Sequence, residues 1–213
     1  MPLYTSINFS PTTQILVWEI TETFDDLFGQ VLLNDINMIR VKNMKSDLHQ
    51  RGFLSVRKLL QEAGYNDFDL YYDESGKPHL NDENFISITH SFHFSAIIIS
   101  EQKAGIDIEM QREKIIRIAD KFVDFEFHFL KPEKIQEYIR KLTVIWGVKE
   151  SIFKIRNERG ISFKDNIQVD TFETNDLKTT AILEMENIKQ QFSIYFEEIE
   201  NFTLVYAFEK QLL

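Results

Sequence analysis

An α+β fold is what this sequence predicts, and three observations carry it. Strand-like and helix-like segments come in runs, in the order β, αα, ββββ, αα, βββ, without regular βαβ alternation. Apolar residues fill 43% of the 213 positions, enough for a sizeable core. Gly (7) and Pro (4) are scarce, which excludes collagenous and low-complexity chains.

Residues 15–20 read as a strand, because their apolar run contains β-branched side chains. Residues 24–33 and 46–63 read as helices. In the second, Leu48, Phe53, Val56, Leu59 and Leu60 keep near-helical spacing, Ser46 is placed to cap the start and Gly64 to stop the end. Residues 69–72 form a short strand and 73–78 a turn cluster. Residues 85–89 and 94–100 are strands, the second almost wholly apolar and expected to be buried. Residues 104–109 follow after a short polar turn as a hairpin partner. Residues 114–122 have a helical pattern. A long helix is expected from about Pro132, a residue suited to the first helical turn, to about Ile155. Residues 179–185, 191–196 and 202–208 return to strands. No linker-like tract divides the chain, so halves 1–103 and 104–213 are expected to pack on each other.

Charge and composition narrow the function. Lys and Arg number 24 against 34 Asp and Glu, a net charge of −10, which argues against bulk nucleic-acid binding. With no cysteine, disulfides, thiolate zinc sites and a cysteine nucleophile are excluded, and a reducing compartment fits. No segment approaches the ~18 apolar residues of a membrane span, and the first six residues lack the basic and apolar regions of a signal peptide. A cytoplasmic protein with no membrane partner is expected. The charge is uneven: Arg40, Lys42, Lys45, Arg51, Arg57 and Lys58 face one acid, Asp47, within a single stretch. Such a run is either a place that handles an anionic ligand or a solvated helix face.

Four short segments hold the chemistry-bearing residues. In Gly105-Ile106-Asp107-Ile108-Glu109, strand geometry puts Asp107 and Glu109 on one face and the isoleucines on the other. Two adjacent carboxylates repel unless a proton or cation lies between them, and hard oxygen ligands suit Mg²⁺. The alternative is a polar face on a half-exposed sheet. In the run from Trp146 to Lys154, about 100° per residue gathers Trp146, Phe153, Lys149, Glu150 and Lys154 on one stripe. Glu150 and Lys154 also have the i, i+4 spacing of an ordinary helix ion pair. In Ser87-Ile88-Thr89-His90-Ser91 the alternation points Ile86 and Ile88 inward and Ser87 and Thr89 outward. His90 then sits among hydroxyls at a strand end, either as a phosphate contact or as a structural histidine. Gly76-Lys77-Pro78-His79 is a turn offering backbone amides and a cation. Three carboxylates, several cations and a histidine are what metal-assisted transfer on a diphosphate requires.

These segments, in this order, resemble the motifs of surfactin-type (Sfp-type) 4′-phosphopantetheinyl transferases. The family's G-K-P turn is matched by Gly76-Lys77-Pro78, its N-x-S-H-S strand end by Ser87–Ser91, its G-x-D-x-E by Gly105–Glu109 and its W-x-x-K-E-S-x-x-K by Trp146–Lys154. The last two motifs lie about forty residues apart, as in the family. The resemblance covers roughly residues 46–163. It implies a fold of two pseudo-symmetric α+β halves with coenzyme A between them. It implies transfer of the phosphopantetheine arm of coenzyme A to a serine of an acyl- or peptidyl-carrier protein, with release of adenosine 3′,5′-bisphosphate. Asp107, Glu109 and Glu150 would bind Mg²⁺, Glu150 would also be the base, and Lys154 would contact the diphosphate. Lys77, Pro78 and His79 would lie by the adenine, Thr89 and His90 by the phosphates, and Arg51 or Arg57 by the 3′-phosphate. A monomer is expected, since fused halves would supply the cleft that smaller relatives build by trimerising. Ser87 stands where the family has Asn, Thr89 where it has Ser, and His79 where an aromatic often follows G-K-P. Three other readings remain open: a catalytically silent relative, a Mg²⁺-dependent nucleotide diphosphate hydrolase, and a structural binding module.

Overall fold

Leu3, Thr5, Ile7 and Phe9 are half-buried while Tyr4, Ser6 and Asn8 between them are exposed. That period of two makes β1 (Leu3–Ser10), which is not among the strands the apolar pattern predicts. The computed structural model describes residues 3–186 and 188–210; Met1 and Pro2, which open the N-terminal segment, lie outside them. The chain divides into two compact units, Met1–Gln102 and Lys103–Leu213.

In the first unit, β1 pairs with β2 (Thr13–Glu19), β2 with β6 (Phe94–Ser100) and β6 with β5 (Phe85–Ser91), all antiparallel. β6 is buried at every position, as its apolar run predicts. Three helices accompany the sheet. α1 (Phe24–Gln30) starts in a capping box between Thr23 and Asp26, and is shorter than expected because Val31 is already extended. α2 (Asp35–Asn43) is unforeseen: among its nine residues only Asn37 and Val41 are buried, so it has almost no apolar stripe. α3 (Asp47–Glu62) is capped by Ser46, whose hydroxyl accepts from His49 N at 3.4 Å, and Gly64, at φ +85°, follows its end. Leu54, Leu59 and Leu60 of α3 join Leu16, Trp18 and Ile97 in the core of this unit. β3 (Leu70–Tyr72) and β4 (Pro78–Leu80) form a hairpin around the turn at Gly76.

The second unit is an antiparallel sheet in the order β7-β11-β10-β9-β8, made of β7 (Ala104–Met110), β8 (Ile167–Val169), β9 (Lys178–Met185), β10 (Ile188–Ile199) and β11 (Phe202–Glu209). α4 (Ile135–Arg156) crosses one face. Its Leu142, Ile145, Val148 and Ile152 share a core with Phe192, Ile194, Val205 and Ala207 of the strands. α4 begins three residues after Pro132, which lies in the preceding turn instead of the first helical position. Asn157, in the left-handed region at φ 49°, ends it. The stretch expected as a helix at 114–122 is a 3₁₀ segment, Glu113–Lys121, closed by bonds such as Ile115 N to Arg112 O at 3.1 Å. A short helix, α5 (Phe163–Asn166), precedes β8. Among the described residues no helix is long and apolar enough to cross a membrane.

Lys149 of α4 ties this unit together. Its ammonium pairs with Glu126 at 2.8 Å and donates to Phe122 O at 2.7 Å and Phe163 O at 2.9 Å. Both charged side chains are fully buried. Glu126 also accepts from Val169 N at 3.0 Å, so one ion pair joins α4, the 122–126 turn, α5 and β8. Burial pushes the Lys149 pKa down, and the charge of Glu126 opposes that shift. Lys149→Met should therefore cost this unit about 3–5 kcal/mol in chemical denaturation, because a buried carboxylate loses its partner. Adding Glu126→Gln should recover a large part of the loss; no recovery would show that Lys149 acts through its carbonyl contacts alone.

Candidate active site

β7 directs Gly105, Asp107 and Glu109 to one face, and pairing with β11 sets Asp107 opposite Val205 and Glu109 opposite Thr203. This is not a half-exposed polar face. α4 lies on it, and Asp107 is only 5% exposed. Gly105 makes that seating possible: a Cβ there would lie 2.1 Å from the backbone oxygen of Ser151. Helix and strand thus meet backbone to backbone. Ile106 and Ile108 are fully buried on the opposite face.

The seating brings three charged side chains to one place. Lys154 donates to Ile106 O and to Asp107 Oδ1, each at 2.8 Å. Its carboxylate partner is Asp107, so the i, i+4 pairing with Glu150 is not what holds it. Glu150 lies one turn earlier on α4. Burial, and next the charge of Asp107, push its pKa up to about 7, with Lys154 opposing and Glu109 adding to the rise. A carboxyl at that value exchanges its proton near neutral pH, as a general base must. The expected single stripe on α4 is in fact split. Glu150 and Lys154 turn toward β7, while Lys149 turns into the core to Glu126 and Trp146 and Phe153 flank Phe163 at 5.7 and 5.8 Å. A groove of about 200 Å³ is lined by Glu109 together with Met110, Arg112, Ile115, Ile118 and Trp146 among others.

Among the described residues, no three His, Asp or Glu side chains form a group that could hold a metal ion as they stand. The donor chemistry nevertheless fits a hard cation: Asp107, Glu109 and Glu150 are oxygen donors, and burial together with the charges of the other two already raises Glu150. The Lys154 ammonium now neutralises part of that charge.

The first unit holds a separate pocket of about 330 Å³, lined by Arg40, His49, Phe53, Arg57, Tyr72 and His90 among others. Ile88 and His90 line it from β5. Thr89, between them, belongs to the opposite face of the strand and is buried, as is Ser87, so the outward orientation expected for both is corrected. Gly52 lies directly under His90: a Cβ would approach His90 Cδ2 to 2.3 Å. His49 lies next to His90, with ring centroids 6.2 Å apart.

The two arginines expected at a phosphate differ in placement. Arg57 is on the pocket wall, its guanidinium 3.5 Å from the centroid of the Phe53 ring and its Nε bonded to buried Asp67 at 2.9 Å. Arg51 pairs with Asp47 at 2.8 Å on the exposed side of α3 and is not in the lining. Lys77, Pro78 and His79 belong to the β3–β4 hairpin and are also outside the lining. There Asp73 accepts from Lys77 N at 3.0 Å and meets His79 Nε2 at 2.9 Å, while His79 stacks on Tyr71. Hydrogen bonds from Ser75 and His79 hold the Asp73 carboxyl well below the usual carboxylate range. The residues that sequence reasoning missed are His49, Phe53, Tyr72 and the placement of Arg40. On α3 the signal was present: His49, Gly52, Phe53, Val56 and Arg57 follow i, i+3, i+4, i+7, i+8. Arg40 and Tyr72 come from other elements and carry no such local mark.

Comparison with known proteins adds two findings. Residues 103–207 match the family described as the 4′-phosphopantetheinyl transferase superfamily. The chain is also similar to the 4′-phosphopantetheinyl transferase gsp of Aneurinibacillus migulanus, 27% identical over 152 residues, which is 70% of this chain and 62% of that protein. The match thus spans less than two thirds of the relative's length.

Two predictions follow from this geometry. Gly52→Ala should drive the His90 ring out of its place, seen as a shift of its ring resonances by NMR. The unit should stay folded, since overpacking costs about 1–3 kcal/mol and the clash is with a movable ring. An unmoved His90 resonance would contradict the contact. Glu150 binds its proton more tightly folded than unfolded, so its stabilising contribution is complete below about pH 4.5 and lost as pH rises through about 7. Without divalent cations, Glu150→Gln should equal the parent near the acid end. At pH 8 it should be more stable, by on the order of 1–3 kcal/mol; a variant of unchanged stability at both pH values would place Glu150 in an ordinary solvated setting.

Proposed function

Through its residues 103–207 the chain belongs to the 4′-phosphopantetheinyl transferase superfamily, and from that premise we propose that it transfers the phosphopantetheine arm of coenzyme A to a serine of an acyl- or peptidyl-carrier protein. The observation that carries this reading is Glu150, a carboxyl near pKa 7 set among Asp107, Glu109 and Lys154.

The carrier's serine oxygen bonds to the phosphorus that bears the pantetheine arm. The serine proton passes to ionised Glu150. The P–O bond to the adenosine-bearing phosphate breaks, and adenosine 3′,5′-bisphosphate leaves. Asp107, Glu109 and Glu150 would hold Mg²⁺, which when bound neutralises charge on the diphosphate oxygens. Lys154, on a flexible four-carbon stem beside Asp107, supplies positive charge to the leaving phosphate. In the first unit, the pocket of aromatic and cationic side chains suits a purine bearing a phosphate. His90 and Arg57 stand on its wall. Lys77, Pro78 and His79 would approach the base from their hairpin, Arg51 the phosphate from α3, and Thr89 would act through the strand that carries His90. The protein works as a cytoplasmic monomer in this reading.

The reading is tested by incubating the protein with unmodified carrier protein, coenzyme A and Mg²⁺ and following the mass of the carrier. Addition of the arm is expected, and it should stop when Mg²⁺ is chelated. Cleavage of coenzyme A without any carrier would instead indicate a hydrolase. Glu150→Gln should lower transfer at saturating coenzyme A at least about a hundredfold, since general-base catalysis is typically worth about 10²–10⁴-fold. If Glu150 acts chiefly as the base, higher pH should restore part of the rate and excess Mg²⁺ should not; the reverse pattern marks it as chiefly a ligand. A small effect, no larger than that of Glu158→Gln, would remove α4 from the active site.

A further inference from the structure

We propose that the outward face of α2 is a self-complementary surface on which two copies of this chain pair antiparallel about a two-fold axis. None of the residues given a role in transfer lies on that face. One copy suffices for the reaction proposed above, and the pair is a reversible association of whole chains.

α2 is turned inside out. A helix on a protein surface ordinarily directs apolar side chains inward and polar ones outward. Here the buried positions are Asn37 and Val41, and Asn37 Nδ2 donates to the carboxylate of buried Asp67 at 2.9 Å. The isoleucines face the other way: Ile36 is 79% exposed and Ile39 62%. Leu32, just before the cap at Asn34, is exposed as well. The segment 66–69 lies against this end of the helix, because Asn34 N and Nδ2 donate to the carboxylate and the carbonyl of Asp67, and its Phe68 is exposed too. Single exposed apolar residues are ordinary, whereas several gathered at one short helix mark a surface that a partner covers. Isoleucine is β-branched and a weaker helix former than Leu, Lys or Glu, so helix stability does not call for it at exposed positions.

The charges beside the isoleucines indicate the partner. At about 100° per residue, with Ile36 as zero, Ile39 falls near −60° and Asn43 near −20°. Asp35, near −100°, and Lys42, near −120°, share one edge of that face, the first at the start of α2 and the second near its end. They are about two turns and roughly 10 Å apart along the axis. Among the described residues neither has an ion-pair partner within its own chain. Lys42 Nζ lies 5.7 Å from the ring centroid of Phe28, a contact that orients the ammonium without neutralising it. On the other edge Arg40 stands over Phe53 and Tyr72, and neither Ile36 nor Ile39 lines that pocket.

A two-fold axis perpendicular to α2 brings the same edge of two copies together with directions reversed. Asp35 of each copy then meets Lys42 of the other, Ile39 meets its counterpart near the axis, and Ile36 packs beside Ile39 and Asn43. The opposed helix dipoles favour the arrangement. A parallel pair would set Asp35 against Asp35, and a wholly acidic or wholly basic partner would satisfy only one of the two charges. One face of a nine-residue helix covers less than the roughly 1,200 Å² at which stable interfaces begin. The association is therefore weak, with a dissociation constant on the order of 10⁻⁴ M.

The test is sedimentation equilibrium of the full chain from about 10 μM to about 1 mM, a range that brackets that constant. The average mass should climb from one chain toward two. Ile39→Lys should stay a single chain throughout, while Ile135→Lys, at an exposed isoleucine of the second unit, should associate like the parent. Asp35→Lys and Lys42→Asp should each weaken pairing, by about three- to thirtyfold for two exposed ion pairs. The double exchange Asp35→Lys with Lys42→Asp should return it to within about threefold of the parent. All of these positions are exposed, so the variants should keep the fold. A parent that remains a single chain at the highest concentration overturns the proposal, and so does a double exchange that pairs no better than either single one.

Discussion

The contact on which the second unit's site depends is the one between the backbones of α4 and β7 at Gly105. Any side chain at that position would have to occupy the place of the Ser151 carbonyl. Because there is none, the helix comes down onto the strand that bears Asp107 and Glu109, and Glu150 and Lys154 arrive beside them. The separation of helix and sheet is thus set by a residue with no chemistry of its own. A similar close approach recurs one turn before Glu150, where a Cβ on Gly147 would press on Val205 at 2.7 Å. The rotation of α4 about its axis is fixed from the other side by the buried Lys149–Glu126 pair. Distance and rotation together decide which two of the helix's charged residues face the strand.

Electrostatics follows from that geometry. Buried Asp107 lies near half-buried Glu109 and Glu150, and Lys154 donates to one oxygen of Asp107. Burial first, and then the charges of Asp107 and Glu109, push the Glu150 pKa up to about 7. The same condition that weakens the fold at alkaline pH makes the group a useful proton acceptor at neutral pH. A divalent cation held there would offset the part of that rise that comes from like charge. In the first unit the order is reversed: Arg40 and Arg57 stand with Phe53 and Tyr72 around one pocket, and buried Asp67 balances Arg57.

Much of this was legible in the sequence where a local rule applied. Helix α3 follows from the cap at Ser46, the stop at Gly64 and the apolar spacing between them. The shared face of Asp107 and Glu109 follows from strand geometry. What no local rule could supply was the partner of each side chain. Lys149 and Glu150 are neighbours about 100° apart on a helix, and spacing alone does not say that one enters the core and the other faces a strand. β5 misled for a related reason: Ser87 and Thr89 are polar, yet both are buried. β1 and α2 escaped notice because one is only half-buried along its length and the other is mostly polar. The first-unit pocket draws Arg40, Phe53, Tyr72 and His90 from four elements, a convergence that only the fold reveals.

The claim that burial among like charges prepares Glu150 for proton transfer is tested most directly by ¹³C NMR titration of its side-chain carboxyl carbon. In protein free of divalent cations the account predicts a midpoint of about 7, moving to lower pH when Mg²⁺ is added. A midpoint at the ordinary glutamate value of 4.5, unmoved by Mg²⁺, would contradict it.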